Sequence, residues 1–269
     1  MKTKFAVLAA AAGVAAIAAP AVANHAWSNY HWERTGDEVT VTVYDSTTGQ
    51  WPARVARAVN DWNQSTVIQS PLARGNSDSS CPIVAGEINV CNGDYGDNGW
   101  LGIASITATR GKTTHITGGT TKLNDFYFNL PQYSDESWKQ LVTCQEIGHD
   151  YGLGHQNENF NTDLTTSCME YTSQPSGNEG PDSHDYEMLL DIYAHSDGGT
   201  TSGPGGGKGG PKKFDVGNFP ANWGRAVAFD ASGRPNVFEQ IVGNQVVVTH
   251  VTWAIGEGPT HHEGDGHAH

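Results

Sequence analysis

The stretch of the chain richest in chemistry is residues 143–155, TCQEIGHDYGLGH. On a helix, positions four apart share a face, so the side chains of Gln145 and His149 point at one common spot. Glu146 stands beside that face, where it can act on a water held by an ion without itself ligating the ion. Gly152 tolerates a left-handed backbone, which ends a helix and turns the chain back, so that His155 reaches the same spot from a separate segment. Three protein donors with a fourth position left open describe a catalytic zinc site, whereas a structural site is closed by four.

A second signal follows at residues 167–171, SCMEY. The first stretch is in register with H-E-x-x-H-x-x-G-x-x-H at Glu146, His149, Gly152 and His155, with Gln145 in place of the first histidine. Ser167, Met169 and Tyr171 match a downstream turn of the form S-x-M-x-Y. Together these residues resemble the metzincin zinc peptidases, in the manner of matrixin-like and reprolysin-like bacterial enzymes. The resemblance is specific over residues 145–171 and elsewhere is one of element order.

The resemblance implies an α+β catalytic domain with a twisted mixed sheet, two long helices and a Met-turn. It implies zinc held by His149, His155 and Gln145, with Met169 supporting the site from below. It also implies a secreted endopeptidase that cleaves peptide bonds with a metal-activated water, Glu146 acting as general base and Tyr171 as oxyanion stabiliser. Gln145 departs from the pattern, because an amide oxygen is a poorer zinc donor than a neutral imidazole. The competing reading is therefore a weak or inactive secreted binding protein of the same fold. His115, alone on an expected strand, is the leading outside ligand if Gln145 does not bind.

Four cysteines in an exported chain suggest two disulfides, with three possible connectivities. The favoured pairs are Cys81 with Cys91, closing a short loop, and Cys144 with Cys168, joining the active-site helix to the Met-turn. The alternative leaves Cys144 or Cys168 as a thiol ligand, although Cys144 lies off the face of His149.

The elements around these residues follow from pattern. Lys2 and Lys4, an alanine-rich apolar run and the A-x-A at residues 21–23 form a secretory leader over residues 1–23. That run is too short to cross a membrane comfortably. A net charge of -14 argues against a nucleic-acid partner and leaves protein or peptide as the expected substrate. Residues 39–44 alternate at period two and predict a strand, and residues 52–64 carry apolar spacings of four and three that predict a helix. Further strands are expected at 67–68, 86–91, 100–106, 115–117 and 121–129, with a turn at Gly118–Gly119. The strand at 100–106 resembles the one bordering the substrate cleft in matrixin-like enzymes, where its edge would pair with an extended peptide.

Asp94 and Asp97, in a turn-rich loop, make calcium a second candidate ion. Asp135 or Ser134 caps the motif helix, and Asp182 or Ser183 caps a closing helix. His184 and His195 are expected at the surface near the ends of that closing helix. The predicted organisation is a catalytic domain over 24–197, a glycine-rich linker over 198–213, a small β module over 214–257 and a histidine-rich tail over 258–269.

Overall fold

A computed structural model describes residues 25–111, 114–160, 166–198 and 213–257. The expected leader, the tail and all but the ends of the linker lie outside the described residues. The architecture is α+β: a nine-stranded mixed sheet with few helices, and a separate two-stranded pair. No helix among the described residues is long and apolar enough to cross a membrane.

Strands β1 (His31–Trp32), β2 (Val39–Thr40) and β3 (Thr42–Asp45) open the chain. The single strand predicted at 39–44 is thus divided: β2 pairs with β4 (Ile68–Gln69), whereas β3 joins the large sheet beside β5 (Leu72–Arg74) and β6 (Glu87–Gly93). Helix α1 (Pro52–Trp62) starts on its proline and buries Val55, Ala58, Val59 and Trp62, the spacings that predicted it. Trp62 then donates its indole N–H to the Cys144 carbonyl of the motif helix, at 3.0 Å.

Strand β7 (Trp100–Thr109) is buried along almost its whole length. Strand β8 (His115–Asn124) runs unbroken through the glycines expected to form a turn. The reason is close packing. A Cβ on Gly118 would lie 2.6 Å from the Val84 carbonyl oxygen, and one on Gly119 would lie 2.8 Å from Asp150 Oδ1. The glycines let a loop and a helix approach the strand. Residues 125–128, predicted as strand, instead form the short helix α2 (Asp125–Phe128), capped by Asn124.

Helix α3 (Glu136–Asp150) carries the motif and is capped by Asp135, as its sequence indicates. It lies over β7 and β8 against α1, and almost all of it is buried. Helix α4 (Ser183–Ile192) has a reciprocal capping box between Asp182 and Asp185. Both expected disulfides are present, Cys81–Cys91 and Cys144–Cys168. The second ties α3 to the turn that carries Met169.

The three C-terminal strands form where expected, but they do not stand apart. Past the short helix α5 (Pro220–Trp223), the strands β9 (Arg225–Phe229), β10 (Pro235–Val242) and β11 (Gln245–Trp253) continue the large sheet. β11 pairs antiparallel with β7 from Gln245↔Thr109 to Trp253↔Trp100. Period-two alternation then sends Val246 and Val248 into the core under the helices, and Val247, Val251 and Trp253 into a second core with Trp100, Ile103 and Trp223. β7 is consequently an interior strand, and the edge expected to receive a peptide is filled by the chain itself.

Replacing Cys144 and Cys168 together by serine should lower stability by about 2–4 kcal/mol, since the pair closes a loop of moderate length. A guanidinium denaturation curve at unchanged slope measures this.

Candidate metal centre

The last turn of α3 delivers Glu146 and His149, and Gly152 at φ +96° turns the chain so that His155 comes back against it. A side chain at Gly152 would also meet the Tyr30 carbonyl oxygen, 2.4 Å from an added Cβ. His149 and His155 approach to 3.0 Å between their Nε2 atoms. The third member of the cluster is His250, on β11. Its ring stacks on that of His149 at a centroid distance of 4.0 Å, with Trp27 set edge-on to it at 3.8 Å.

Hydrogen bonds at the far side of each ring fix the tautomers. His149 Nδ1 lies 2.7 Å from the Leu153 carbonyl oxygen, and His155 Nδ1 lies 3.0 Å from a Glu158 carboxylate oxygen. Both partners only accept, so the imidazole protons sit on Nδ1 and the two Nε2 lone pairs face each other. At 3.0 Å that arrangement is repulsive unless a proton or a cation lies between them. Burial, with His155 alongside, pushes the pKa of His149 well below its ordinary value and disfavours the proton. His250 is held down in the same way, by burial first and then by His149 and His155, and neither of its ring nitrogens has a hydrogen-bond partner. Two imidazoles anchored from behind and a third with both nitrogens unpartnered are a donor set that fits zinc.

Glu146 is fully buried, and neither carboxylate oxygen has a hydrogen-bond partner. Burial raises its pKa well above the usual carboxylate range. Gly102 on β7 makes room for it, since an added Cβ would stand 2.7 Å from Glu146 Oε1. Gly102 is paired with Thr252, two residues from His250 on β11. An unpartnered buried carboxylate is costly to keep, and its retention beside the imidazoles points to a polar occupant of the site.

Gln145, expected as the third ligand, is turned to a different use. Its amide N–H donates to the carbonyl oxygens of Cys168, at 2.8 Å, and Glu170, at 3.4 Å. Its amide oxygen accepts the Thr252 hydroxyl at 2.6 Å. The side chain therefore binds α3 to the turn that carries Met169 and to β11. Tyr171, expected as oxyanion stabiliser, sets its ring at a tilt beside His155, centroids 4.3 Å apart, and its hydroxyl donates to the Val251 carbonyl at 3.2 Å. Met169 lies beneath the helix, its sulfur 2.6 Å from where a Cβ on Gly148 would stand. His115, the outside candidate, belongs to a different cluster, with His31 and Asp197. Asp94 and Asp97 accept from Gly96 N–H and Tyr127 O–H and belong to neither histidine cluster.

The residue that sequence reasoning passed over is His250. One signal was available: in a strand alternating at period two, it shares the face of Val246, Val248 and Thr252, so a histidine stood on a face patterned for the core. Its distance in sequence from the motif concealed its role. The sequence matches no protein-family description and no curated protein.

Gln145→Ala should leave zinc content unchanged while costing about 1–3 kcal/mol, because the Thr252 hydroxyl and the Cys168 carbonyl lose this partner. His250→Ala should lose the zinc. Metal analysis and denaturation of the two variants side by side check both expectations.

Proposed function

We propose that this chain is a secreted zinc-dependent endopeptidase of metzincin type in which His250 replaces the histidine missing at position 145. The observation that carries the reading is the facing pair of Nε2 lone pairs, completed by a third unpartnered imidazole and set beside the buried Glu146 carboxylate. His149, His155 and His250 would hold the ion. A bound zinc supplies Lewis acidity toward a carbonyl and acidifies a water. Glu146, on the same helix as His149, would as its carboxylate take a proton from a water and pass it to a departing amine. Leu153 and Glu158 orient the imidazoles, and Met169 packs under the helix that carries Glu146 and His149. The leader over residues 1–23 and the two disulfides support export.

One observation favours a second reading. β11 lies along the whole of β7, on the edge where a peptide would add as a strand, and His149 and Glu146 are fully buried. On that reading the chain is a secreted zinc-holding protein without turnover, its cleft filled by its own C-terminal strand. The endopeptidase reading is preferred because an ion held only for structure has no use for an unpartnered Glu146.

The two are separated by assaying zinc content and cleavage of a denatured protein substrate in the wild-type chain and in Glu146→Gln. The proposal expects zinc in both and a rate lower by about 10²–10⁴-fold in the variant, the usual size of a general-base contribution. Zinc in both with no cleavage by the wild type would establish the second reading.

A further inference from the structure

A second set of metal donors lies where the N-terminal arm meets the start of β8 and the segment that follows α4. Parallel pairing of β1 with β8 puts His31 opposite His115. Asp197 is fixed against the same arm: its backbone N–H donates to the Arg34 carbonyl at 2.9 Å, and its Oδ2 accepts the Arg34 N–H at 2.7 Å. Its other oxygen, Oδ1, faces three imidazoles. The Nε2 atoms of His31, His115 and His195 lie 3.4, 3.3 and 3.2 Å from it. His31 and His195 are themselves 3.2 Å apart at Nε2. The side chains of His31, His115 and Asp197 are almost wholly buried, at 8, 8 and 5 % exposure, whereas His195 is 53 % exposed and closes the cluster from outside.

Hydrogen bonding alone does not account for this arrangement. His31 Nδ1 lies 2.8 Å from the Asn29 carbonyl oxygen, so in the neutral ring the proton sits there and Nε2 presents a lone pair to a carboxylate oxygen that also only accepts. His115 Nε2 is buried and lies 3.3 Å from the same carboxylate oxygen. A cation at the centre resolves every one of these contacts. Donors about 2.0–2.1 Å from a zinc in a tetrahedron stand about 3.3 Å from one another. The separations of Asp197 Oδ1 from the Nε2 atoms of His31 and His115, 3.4 and 3.3 Å, match edges of that figure, and the three donors all lie within 4.8 Å of one another.

We propose that His31 Nε2, His115 Nε2 and Asp197 Oδ1 hold a structural zinc ion, and that the half-exposed His195 turns in to complete a closed, four-coordinate site. It has no open position and no neighbouring base, so it is a cross-link and not a second reaction centre. It joins the N-terminal arm, the sheet and the end of α4. That arm also carries Trp27, which rests edge-on against His250. The site does not depend on the endopeptidase reading.

The test is zinc stoichiometry of the full mature chain after gel filtration, for the wild type, His115→Ala, Asp197→Asn and His250→Ala. The C-terminal histidines are common to all four, so differences between variants report on the sites. His115→Ala and Asp197→Asn should each lose one equivalent that His250→Ala retains, and chelation should lower the melting temperature further in the wild type than in His115→Ala. Wild-type zinc content in His115→Ala and Asp197→Asn would overturn the site. If those variants do not fold, the half-exposed His195 provides the check. His195→Ala should keep the far-ultraviolet spectrum and weaken zinc binding at least 10-fold, the scale expected even for partners outside the ligand set; unchanged affinity would overturn the proposal. Failure of the endopeptidase reading alone would show as a wild type that cleaves nothing, or that lacks a His250-dependent equivalent, while the His115-dependent equivalent is still present.

Discussion

The antiparallel ladder between β7 and β11 is the constraint on which the rest of this structure depends. It is a long-range pairing that brings residues 245–253 alongside residues 100–109. Because side chains alternate across a strand, fixing the register at Thr252↔Gly102 also fixes which face His250 presents. A slip of one residue would turn His250 to the opposite face and Val251 toward the helices. The ladder is stabilised on both faces, by the main core beneath α1 and α3 and by the aromatic cluster of Trp100, Trp223 and Trp253.

What the ladder encloses is electrostatically demanding. Glu146, His149 and His250 all lie out of contact with water, where a carboxylate favours its protonated form and an imidazole its neutral one. The anchoring of His149 and His155 from behind leaves their remaining lone pairs convergent. A fold that holds such groups together without a cation keeps a repulsive contact and several unpartnered polar atoms in its interior. A bound cation would remove both costs, and its binding would then contribute to the folding energy.

The glutamine at position 145 is tied to a distant strand of the fold. A glutamine offers a donor and an acceptor from one side chain, and both are used, toward the Cys168 and Glu170 carbonyls and toward Thr252. An imidazole there would not reproduce three contacts in two directions. Gln145 and His250 thus act together: the amide fixes β11 through Thr252, and β11 carries the imidazole two residues away.

Much of the local structure was legible in the sequence. The proline start and apolar spacing of α1, the Asp135 cap of α3, the glycine turn before His155, the two disulfide pairs and the three C-terminal strands all follow from short-range rules. So does the pairing of Glu146 with His149 on one helical turn. Other features were decided only in three dimensions. Gly118 and Gly119 read as a turn but serve as points of close approach, because the groups that approach them, Val84 and Asp150, are distant in sequence. His115 read as a lone surface residue, yet its partners come from residues 31, 195 and 197. His250 read as one histidine in a separate module. Spacing within a helix or strand is set by its own geometry and can be counted along the chain. Which strand lies beside which is set by burial of whole faces, and that choice alone gave the site its third histidine and closed the edge of β7.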